Sequence, residues 1–291
     1  MSNLLHAACY ADRALHRTVL VVENIHLLAQ DIYRMRFVCP EIARRVLPGQ
    51  FLMLRLTNSN DPLLGRPLAL YDTVLSAAGE PREIDVVYRM KGKFTRRLAE
   101  CAPGQSLDVW GPLGNGFPVQ PIAHLIMVAG GIGQTPFLAL GREYLGHRSF
   151  GDPPRQVTPS TQVTLCYGAR NADLLANVDD FTKFGIDVRV GTEDGSCGQR
   201  GLVTDVLRQV LTETNLPRRI VACGPEPMLE AVARLAAATG TDCQVSLETP
   251  MACGIGICFT CVAKVKQAGG QWDYQRTCVE GPVFDAAKIV W

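Results

Sequence analysis

The sequence predicts a molecule in three parts: an antiparallel β-barrel, an α/β domain with a parallel sheet, and a small C-terminal domain. Residues 17–121 contain six short strand-like runs, and residues 122–244 alternate strands with helices. The first pattern is typical of a small barrel and the second of βαβ units. Residues 245–291 contain four closely spaced cysteines and are too few for an independent core, so we expect a cross-linking centre there. Residues 1–16 read as an N-terminal extension.

The composition is that of an ordinary globular protein. The chain has 291 residues, of which 47% are hydrophobic and 20% charged, and its net charge is +1. Without a basic run, nucleic acid is not an expected partner. The most apolar stretch, LIMVAGGIGQTPFLALG, is interrupted by four glycines and a proline, so we expect no membrane helix. We expect a cytoplasmic protein whose eleven cysteines stay reduced.

Each barrel strand is expected where a β-rich run ends at a turn-forming residue. Only TRRLAEC, between the last two runs, has a helical pattern. The fourth run begins with Arg66 and Pro67, and a guanidinium is a bidentate donor suited to a pyrophosphate. An Arg-Pro pair is also common at a plain sheet edge, so this indication is weak alone. The six runs are TVLVVENI, IYRMRFVC, QFLMLRLT, RPLALYD, EIDVVYRM and SLDVWG.

The α/β domain is expected to have a parallel sheet with helices on both faces. The Pro-rich segment GHRSFGDPPRQVTPST interrupts the alternation and predicts a surface loop. The strands are HLIMVAG, VTLCYGAR, IDVRVGT and RIVACG, and the helices are TPFLALGREYL, DLLANVDDFTKF, LVTDVLRQVL and PMLEAVARLAAATG.

Two loops at strand ends indicate a dinucleotide site. VAGGIGQTP leads from a strand into a helix, whose N-terminus favours a pyrophosphate. It departs from G-x-G-x-x-G because Pro136 replaces the third glycine, and a turn without a ligand is an alternative. The loop ACGPEPM repeats the arrangement at the last strand of the alternation, and ligands bind at the carboxyl ends of parallel strands. The predicted contacts are Gly130, Gly131, Gly133, Gln134, Thr135, Cys223, Gly224 and Pro225, with burial as the alternative for Cys223.

The C-terminal cysteines form a C-x4-C-x2-C-x16-C array of Cys253, Cys258, Cys261 and Cys278. Plant-type [2Fe–2S] proteins share the leading spacing, and intervening glycines let N–H groups approach the sulfurs. A four-thiolate zinc staple is the alternative, and disulfides are less favoured. We expect most other cysteines to be buried, no histidine to be functional, and no catalytic acid, base or nucleophile. The other cysteines are Cys9, Cys39, Cys101, Cys166, Cys197, Cys223 and Cys243, and the histidines are His6, His16, His26, His124 and His147.

Several motifs together resemble one known family. RPLALYD, VAGGIGQTP, YGAR, TEDGSCGQRG, CGPEPML, ETPMACGIGICFTC and TCVEGPVF follow one another over residues 17–290. In this order they resemble the electron-transfer subunits of type B dihydroorotate dehydrogenases, which are ferredoxin reductase-like iron–sulfur flavoproteins. The resemblance implies an FAD-binding barrel, a nicotinamide-binding α/β domain and a C-terminal [2Fe–2S] domain.

The resemblance also assigns FAD contacts. Ala69 replaces the family's usual serine, which removes a hydrogen bond worth about 1 kcal/mol. Phe94 replaces a glycine and should add bulk near the cofactor. We expect FAD to bind with altered contacts. By motif match the contacts are Arg66, Pro67, Leu68, Ala69, Val87, Tyr88, Arg89, Phe94 and Thr95.

The implied function is electron transfer in pyrimidine biosynthesis. Electrons from an FMN-containing dihydroorotate dehydrogenase subunit would pass through [2Fe–2S] and FAD to NAD+, within a heterotetramer. A flavin suits this task because it exchanges both single electrons and hydrides. One alternative is a small subunit of an NAD(P)H:ferredoxin transhydrogenase, hydrogenase or sulfide dehydrogenase complex, and another is a zinc-stapled nucleotide-binding regulator. NAD and NADP remain open, since Arg170 could meet a 2′-phosphate or cap a loop.

Overall fold

The computed structural model describes residues 14–27, 29–57 and 59–291. Within these residues the strands form a closed six-stranded barrel, a seven-stranded sheet and a two-stranded hairpin. This confirms the predicted barrel and α/β architecture. The expected N-terminal extension, with His6 and Cys9, lies outside the described residues except for its last three positions.

The barrel contains all six predicted strands and closes in the order β1-β2-β5-β4-β3-β6, with antiparallel pairs throughout. Its interior holds buried side chains such as Phe37, Leu54 and Val86. The sequence analysis missed a helix after β2, which begins at a proline, a residue favoured in the first helical turn. The elements are β1 (Leu15–His26), β2 (Ile32–Val38), α1 (Pro40–Arg45), β3 (Phe51–Leu56), β4 (Arg66–Leu75), β5 (Pro81–Arg89), α2 (Lys93–Ala99) and β6 (Ser106–Leu113).

The seven-stranded sheet has the order β10-β9-β8-β7-β11-β12-β15. Its first six strands are parallel, four of them at the predicted positions, and β15 is an antiparallel edge; the short strand β10 was not predicted. Strand β12 was not predicted, and the proposed domain boundary between residues 244 and 245 falls inside it. The strands are β7 (His124–Gly130), β8 (Gln162–Ala169), β9 (Asp187–Thr192), β10 (Gln199–Arg200), β11 (Arg218–Cys223), β12 (Asp242–Ser246) and β15 (Val283–Asp285).

Helices cover both faces of this sheet. Phe137 and Phe181 pack into the core on one face, and Leu207 and Val232 into the core on the other. The predicted helix DLLANVDDFTKF is broken, because Asn177 adopts a left-handed backbone (φ 61°) before a short α-helix. The helices are α3 (Phe137–Tyr144), α4 (Val178–Thr182), α5 (Val203–Glu213) and α6 (Glu226–Ala238), with 3-10 turns at Gly131–Gln134, Ala172–Leu174 and Ala286–Lys288.

The C-terminal segment contacts both larger domains. The hairpin of β13 (Val262–Lys266) and β14 (Trp272–Arg276) follows the first three cysteines of the array, and β15 then joins the large sheet beside β12. On the barrel side, the indole Nε1 of Trp110 donates to the carbonyl of Cys253 at 3.0 Å. Within the described residues, no helix is long and apolar enough to span a bilayer.

Candidate functional site

A cavity of about 1050 Å³ lies between the barrel and the carboxyl ends of the parallel strands. This is the position in which open parallel sheets bind ligands. Most of the predicted cofactor contacts lie on its wall. They are Pro67, Leu68, Ala69, Val87, Tyr88, Arg89 and Thr95 from the barrel, and Gly130, Gly131, Gly133, Thr135, Cys223, Gly224 and Pro225 from the α/β domain.

Two predicted barrel contacts lie elsewhere. Phe94 is buried in the barrel core beside Leu98 and does not line the cavity, so its ring does not narrow the space for a cofactor. Arg66 is exposed and donates from Nη1 to the carbonyls of Leu64 and Gly65, at 3.1 and 2.9 Å. Ala69 does line the cavity, so replacement of the family's serine removes a hydroxyl group from the cavity wall.

The glycines of the first loop have different tasks. Gly131 lines the cavity with a left-handed backbone (φ 55°), and apart from its chain neighbours no other described residue lies within 4 Å of a Cβ built there, so the space beside its Cα is open. A Cβ at Gly133 would instead overlap the carbonyl oxygen of Cys223. Gly133 is therefore required to pack the two loops together, whereas Gly131 leaves backbone accessible to a phosphate.

Gln134 was predicted as a contact, but it is fully buried and does not line the cavity. Its side-chain oxygen and nitrogen have no hydrogen-bond partner within the described residues. The buried amide faces the protein interior.

Cys223 lies on the cavity wall at the end of β11, next to Ser246 at the end of β12. Burial raises the pKa of its thiol to about 12, so it is a neutral wall group at physiological pH. The segment after β12 also lines the cavity, with Glu248 and Met251 among its residues. The sequence analysis missed this segment because strand β12 was not recognised. Had β12 been recognised, the binding of ligands at the carboxyl ends of parallel strands would have indicated the segment.

Arg170 and Glu193 follow β8 and β9 and also line the cavity. Both side chains are exposed. A cation and a carboxylate thus stand at adjacent strand ends, where a dinucleotide's second ribose is commonly recognised.

The four cysteines of the array form two pairs. The Sγ atoms of Cys261 and Cys278 are 3.1 Å apart and buried. Cys258 is exposed and lies beside Cys253; a hydrogen bond from Thr260 Oγ1, at 2.8 Å, lowers the pKa of Cys258 to about 6.

This pairing fits a two-iron centre. A zinc staple needs all four thiolates around one ion, whereas a [2Fe–2S] cluster takes four thiolates shared between two irons. The thiol arrangement therefore favours the cluster.

Two glycines shape the loop that carries the first three cysteines. Gly254 and Gly256 have left-handed backbones, with φ of 73° and 82°. A Cβ at Gly254 would lie 2.6 Å from Met53 of the barrel, and one at Gly256 would lie 2.6 Å from Val279. Glycine at position 254 therefore lets the loop pack against the barrel, and glycine at position 256 lets it pack against the segment after Cys278.

The cavity and the thiols are neighbours. Phe51 of β3 lines the cavity and also belongs to the apolar cluster that contains Cys261 and Cys278. Met53 and Leu113 complete the barrel side of that cluster. Met251 also lines the cavity and packs against this cluster, so the two sites share wall residues.

Comparison with known proteins assigns each part of the chain. Residues 19–117 match a model of the oxidoreductase FAD-binding domain, and residues 127–234 match the oxidoreductase NAD-binding domain. Residues 248–290 match the iron–sulfur cluster binding domain of dihydroorotate dehydrogenase B.

Curated relatives agree over almost the whole length. The electron transfer subunit of dihydroorotate dehydrogenase B (NAD(+)) from Desulforamulus reducens is 32% identical over 92% of this chain and 95% of the relative. The subunit of the same name from Geobacillus sp. is 34% identical over 90% and 94%. The chain belongs to this family of electron transfer subunits.

Membership makes the chain an oxidoreductase subunit with FAD-binding, NAD-binding and iron–sulfur domains. A related fold occurs in a solved structure of an NADH-dependent reduced ferredoxin-NADP oxidoreductase, described in connection with flavin-based electron bifurcation. The match has a TM-score of 0.76 and 26% identity, over 94% of this chain and 90% of that one. A ferredoxin reductase of carbazole 1,9a-dioxygenase shares the fold alone, with a TM-score of 0.64 and 20% identity over 78% of this chain and 67% of that chain.

Proposed function

We propose that this chain carries electrons from an FMN-containing dihydroorotate dehydrogenase subunit, through a [2Fe–2S] cluster and FAD, to NAD+. The observation that carries the proposal is the position of Phe51, which touches both the cavity and the core around Cys261 and Cys278. Cofactors held in these two sites would be near neighbours, as sequential electron transfer requires. When bound, FAD supplies the exchange between single electrons and a hydride.

The chain's own residues bind and orient rather than react. The four thiolates of the array would hold the cluster, and the wall formed by β4 and β5 would hold FAD. The peptide of Gly131, open to the cavity at a strand end, supports binding of the nicotinamide dinucleotide's phosphates there. The Cys223 thiol, whose pKa is about 12, would contribute a neutral contact.

We propose NAD+ rather than NADP+ as the substrate, in keeping with the relatives' names. Glu193 supports this choice, because a carboxylate at a strand end accepts hydrogen bonds from a ribose hydroxyl and repels a 2′-phosphate. Arg170, on the neighbouring strand end, would then meet the pyrophosphate or the solvent.

The docking surface proposed for the catalytic subunit is the outer part of the cysteine loop. Ile257 and Phe259 are 71% and 64% exposed, although both are apolar and flank Cys258. Ile255, which the sequence places in the same run, packs partly against the apolar cluster that includes Met53. A partner that covers Ile257 and Phe259 would bring its own redox centre close to the thiols, and two copies of each chain would give the expected heterotetramer.

The experiment combines this chain with an FMN-containing dihydroorotate dehydrogenase subunit and measures NAD+ reduction by dihydroorotate. Ile257→Glu should weaken assembly at least tenfold, because it places a charge in an apolar contact. NADH oxidation with a tetrazolium dye should persist in this variant. Leu20→Glu is the matched control, since Leu20 is 56% exposed on the barrel strand β1.

Equal assembly of the Ile257→Glu and wild-type proteins would place the docking surface elsewhere. Failure of the wild-type chain to assemble with any dihydroorotate-oxidising subunit would contradict the proposed function. The second candidate is then the small subunit of an NAD(P)H:ferredoxin transhydrogenase, which is favoured by the fold match over 94% of the chain. Stoichiometric zinc in place of iron after anaerobic purification would instead support a zinc-stapled nucleotide-binding regulator.

A further inference from the structure

Arg276 lies against the loop that carries the first three cysteines. Its Nη1 donates to the carbonyl of Gly256 at 3.1 Å, and its Nη2 contacts the Glu280 carboxylate at 2.6 Å. The same carboxylate accepts from the Arg276 backbone N–H at 2.7 Å. With only 16% of the side chain exposed, the guanidinium is held at both ends in a fixed position.

Gly256 links Arg276 to the thiols. A Cβ on Gly256 would lie 2.6 Å from Val279, the residue that follows Cys278, so the loop packs directly against the segment that carries this thiol. The Gly256 carbonyl is the group that Arg276 holds. The guanidinium therefore fixes the loop at the point where it packs beside the segment of Cys278.

The guanidinium also contacts the exposed part of the loop. Its Cζ lies 5.2 Å from the ring centroid of Phe259, within the range of a cation–π contact. Phe259 has a left-handed backbone (φ 54°), which residues other than glycine rarely adopt. Arg276 therefore contacts the residue of the loop that has the unfavourable backbone conformation and helps to stabilise it.

We propose that Arg276 is a positioning residue for the cluster: held by Glu280, it fixes the Gly256 carbonyl in the cysteine loop and places a positive charge that raises the cluster's reduction potential. The reduction itself adds one electron and needs no proton. A nearby cation stabilises the added negative charge, and hydrogen bonds to the sulfurs act in the same direction. The inference rests on the proposed function only in assuming that a [2Fe–2S] cluster is bound.

The test is an EPR-monitored redox titration of the full-length, cluster-loaded chain without any partner subunit. Arg276→Gln should lower the midpoint potential, because it removes the charge and the hydrogen bond to Gly256. Glu280→Gln should raise it, because it removes the opposing charge. Arg276→Lys should retain most of the wild-type potential. An unchanged potential in Arg276→Gln would overturn the proposal.

Opposite signs are the decisive result. If Arg276→Gln and Glu280→Gln shift the potential in the same direction, the pair acts only by ordering the loop, and the proposed charge effect is wrong. Arg234→Gln is the matched control, because Arg234 also pairs with a glutamate four residues away, but on helix α6. The cluster of this variant should have the wild-type midpoint potential. If Arg276→Gln does not fold, Glu280→Gln decides: a higher midpoint potential supports the proposal, and an unchanged or lower one overturns it.

This result is independent of the partner. A chain that shows the opposite shifts but never assembles with an FMN subunit would contradict the proposed function alone. A chain that assembles and reduces NAD+ with dihydroorotate, yet shows no shift in Arg276→Gln, would contradict this inference alone.

Discussion

The barrel and the α/β domain meet on two sides that differ in chemistry. On the cavity side, the wall is formed largely by apolar side chains and by glycine backbone such as that of Gly131, with a few charged side chains near the strand ends. On the opposite side, the domains are joined by polar contacts: Arg142 pairs with Asp72, Tyr71 donates to Asp180 at 2.8 Å, and Arg148 donates to a hydroxyl on β4. A smaller cavity of about 250 Å³ on this side is lined by these charged groups.

The difference shows how one domain interface can fix the domain orientation and also bind ligands. On the side opposite the cavity, called the far side below, directional ion pairs and hydrogen bonds fix the orientation of the two domains. The near side can then leave backbone groups unpaired for ligands without losing the domain arrangement. The predictions below test whether stability and ligand binding are divided between the two sides in this way.

The largest expected effect follows from Asp72→Ala, on the far side. Asp72 and Arg142 are both largely buried, with 11% and 15% of their side chains exposed. Loss of the carboxylate leaves a buried guanidinium without its partner, so we expect a loss of about 3 kcal/mol in the free energy of unfolding. Urea unfolding would measure it. Asp61→Ala breaks an exposed pair with Lys93 and should cost less than about 1 kcal/mol. Equal losses in both variants would show that the far side is not special.

The next effect separates the two glycines of the cavity side. Gly133→Ala forces a methyl group into the Cys223 carbonyl, which should cost about 1–3 kcal/mol and displace the second loop. We expect KM for NADH to rise about tenfold, the equivalent of about 1.4 kcal/mol. Gly131→Ala meets open space and has only its backbone strain, so its effect should be smaller. A larger rise in KM for Gly131→Ala would mean that loop packing matters less than access of the peptide to the ligand.

These glycines illustrate what the sequence could and could not predict. Local patterns were sufficient to predict the six barrel strands, four of the parallel strands (β7, β8, β9 and β11) and the cysteine array. The sequence also indicated the right loop, but it could not distinguish Gly131 from Gly133. That difference depends on Cys223, which is ninety residues away in sequence and meets the loop only after β7 and β11 have paired.

The elements that were missed have the same origin. The run DCQVS is short and includes polar residues, and it becomes strand β12 because β11 and β15 lie on either side of it. Phe94 illustrates the limit of motif matching: it lies in the first turn of a short helix, as the motif implied, but its ring is buried in the barrel core around Leu98. Burial and pairing between distant segments decide such cases, and neither is encoded locally.

The smallest expected effect is a pH dependence on the far side. Burial raises the pKa of Asp72, although Arg142 and the backbone N–H of Thr73 oppose the rise. The folded state therefore keeps this proton to higher pH than the unfolded chain, so the associated stability is complete below about pH 4 and is lost as the pH rises through the folded pKa. Asp72→Asn cannot lose a proton, and it should lose less stability than the wild type between pH 4 and neutrality. Glu143, whose pKa burial also raises, gives both proteins the same background slope. Parallel stability curves for the two proteins would show that Asp72 is charged throughout, and that the ion pair with Arg142 outweighs its burial.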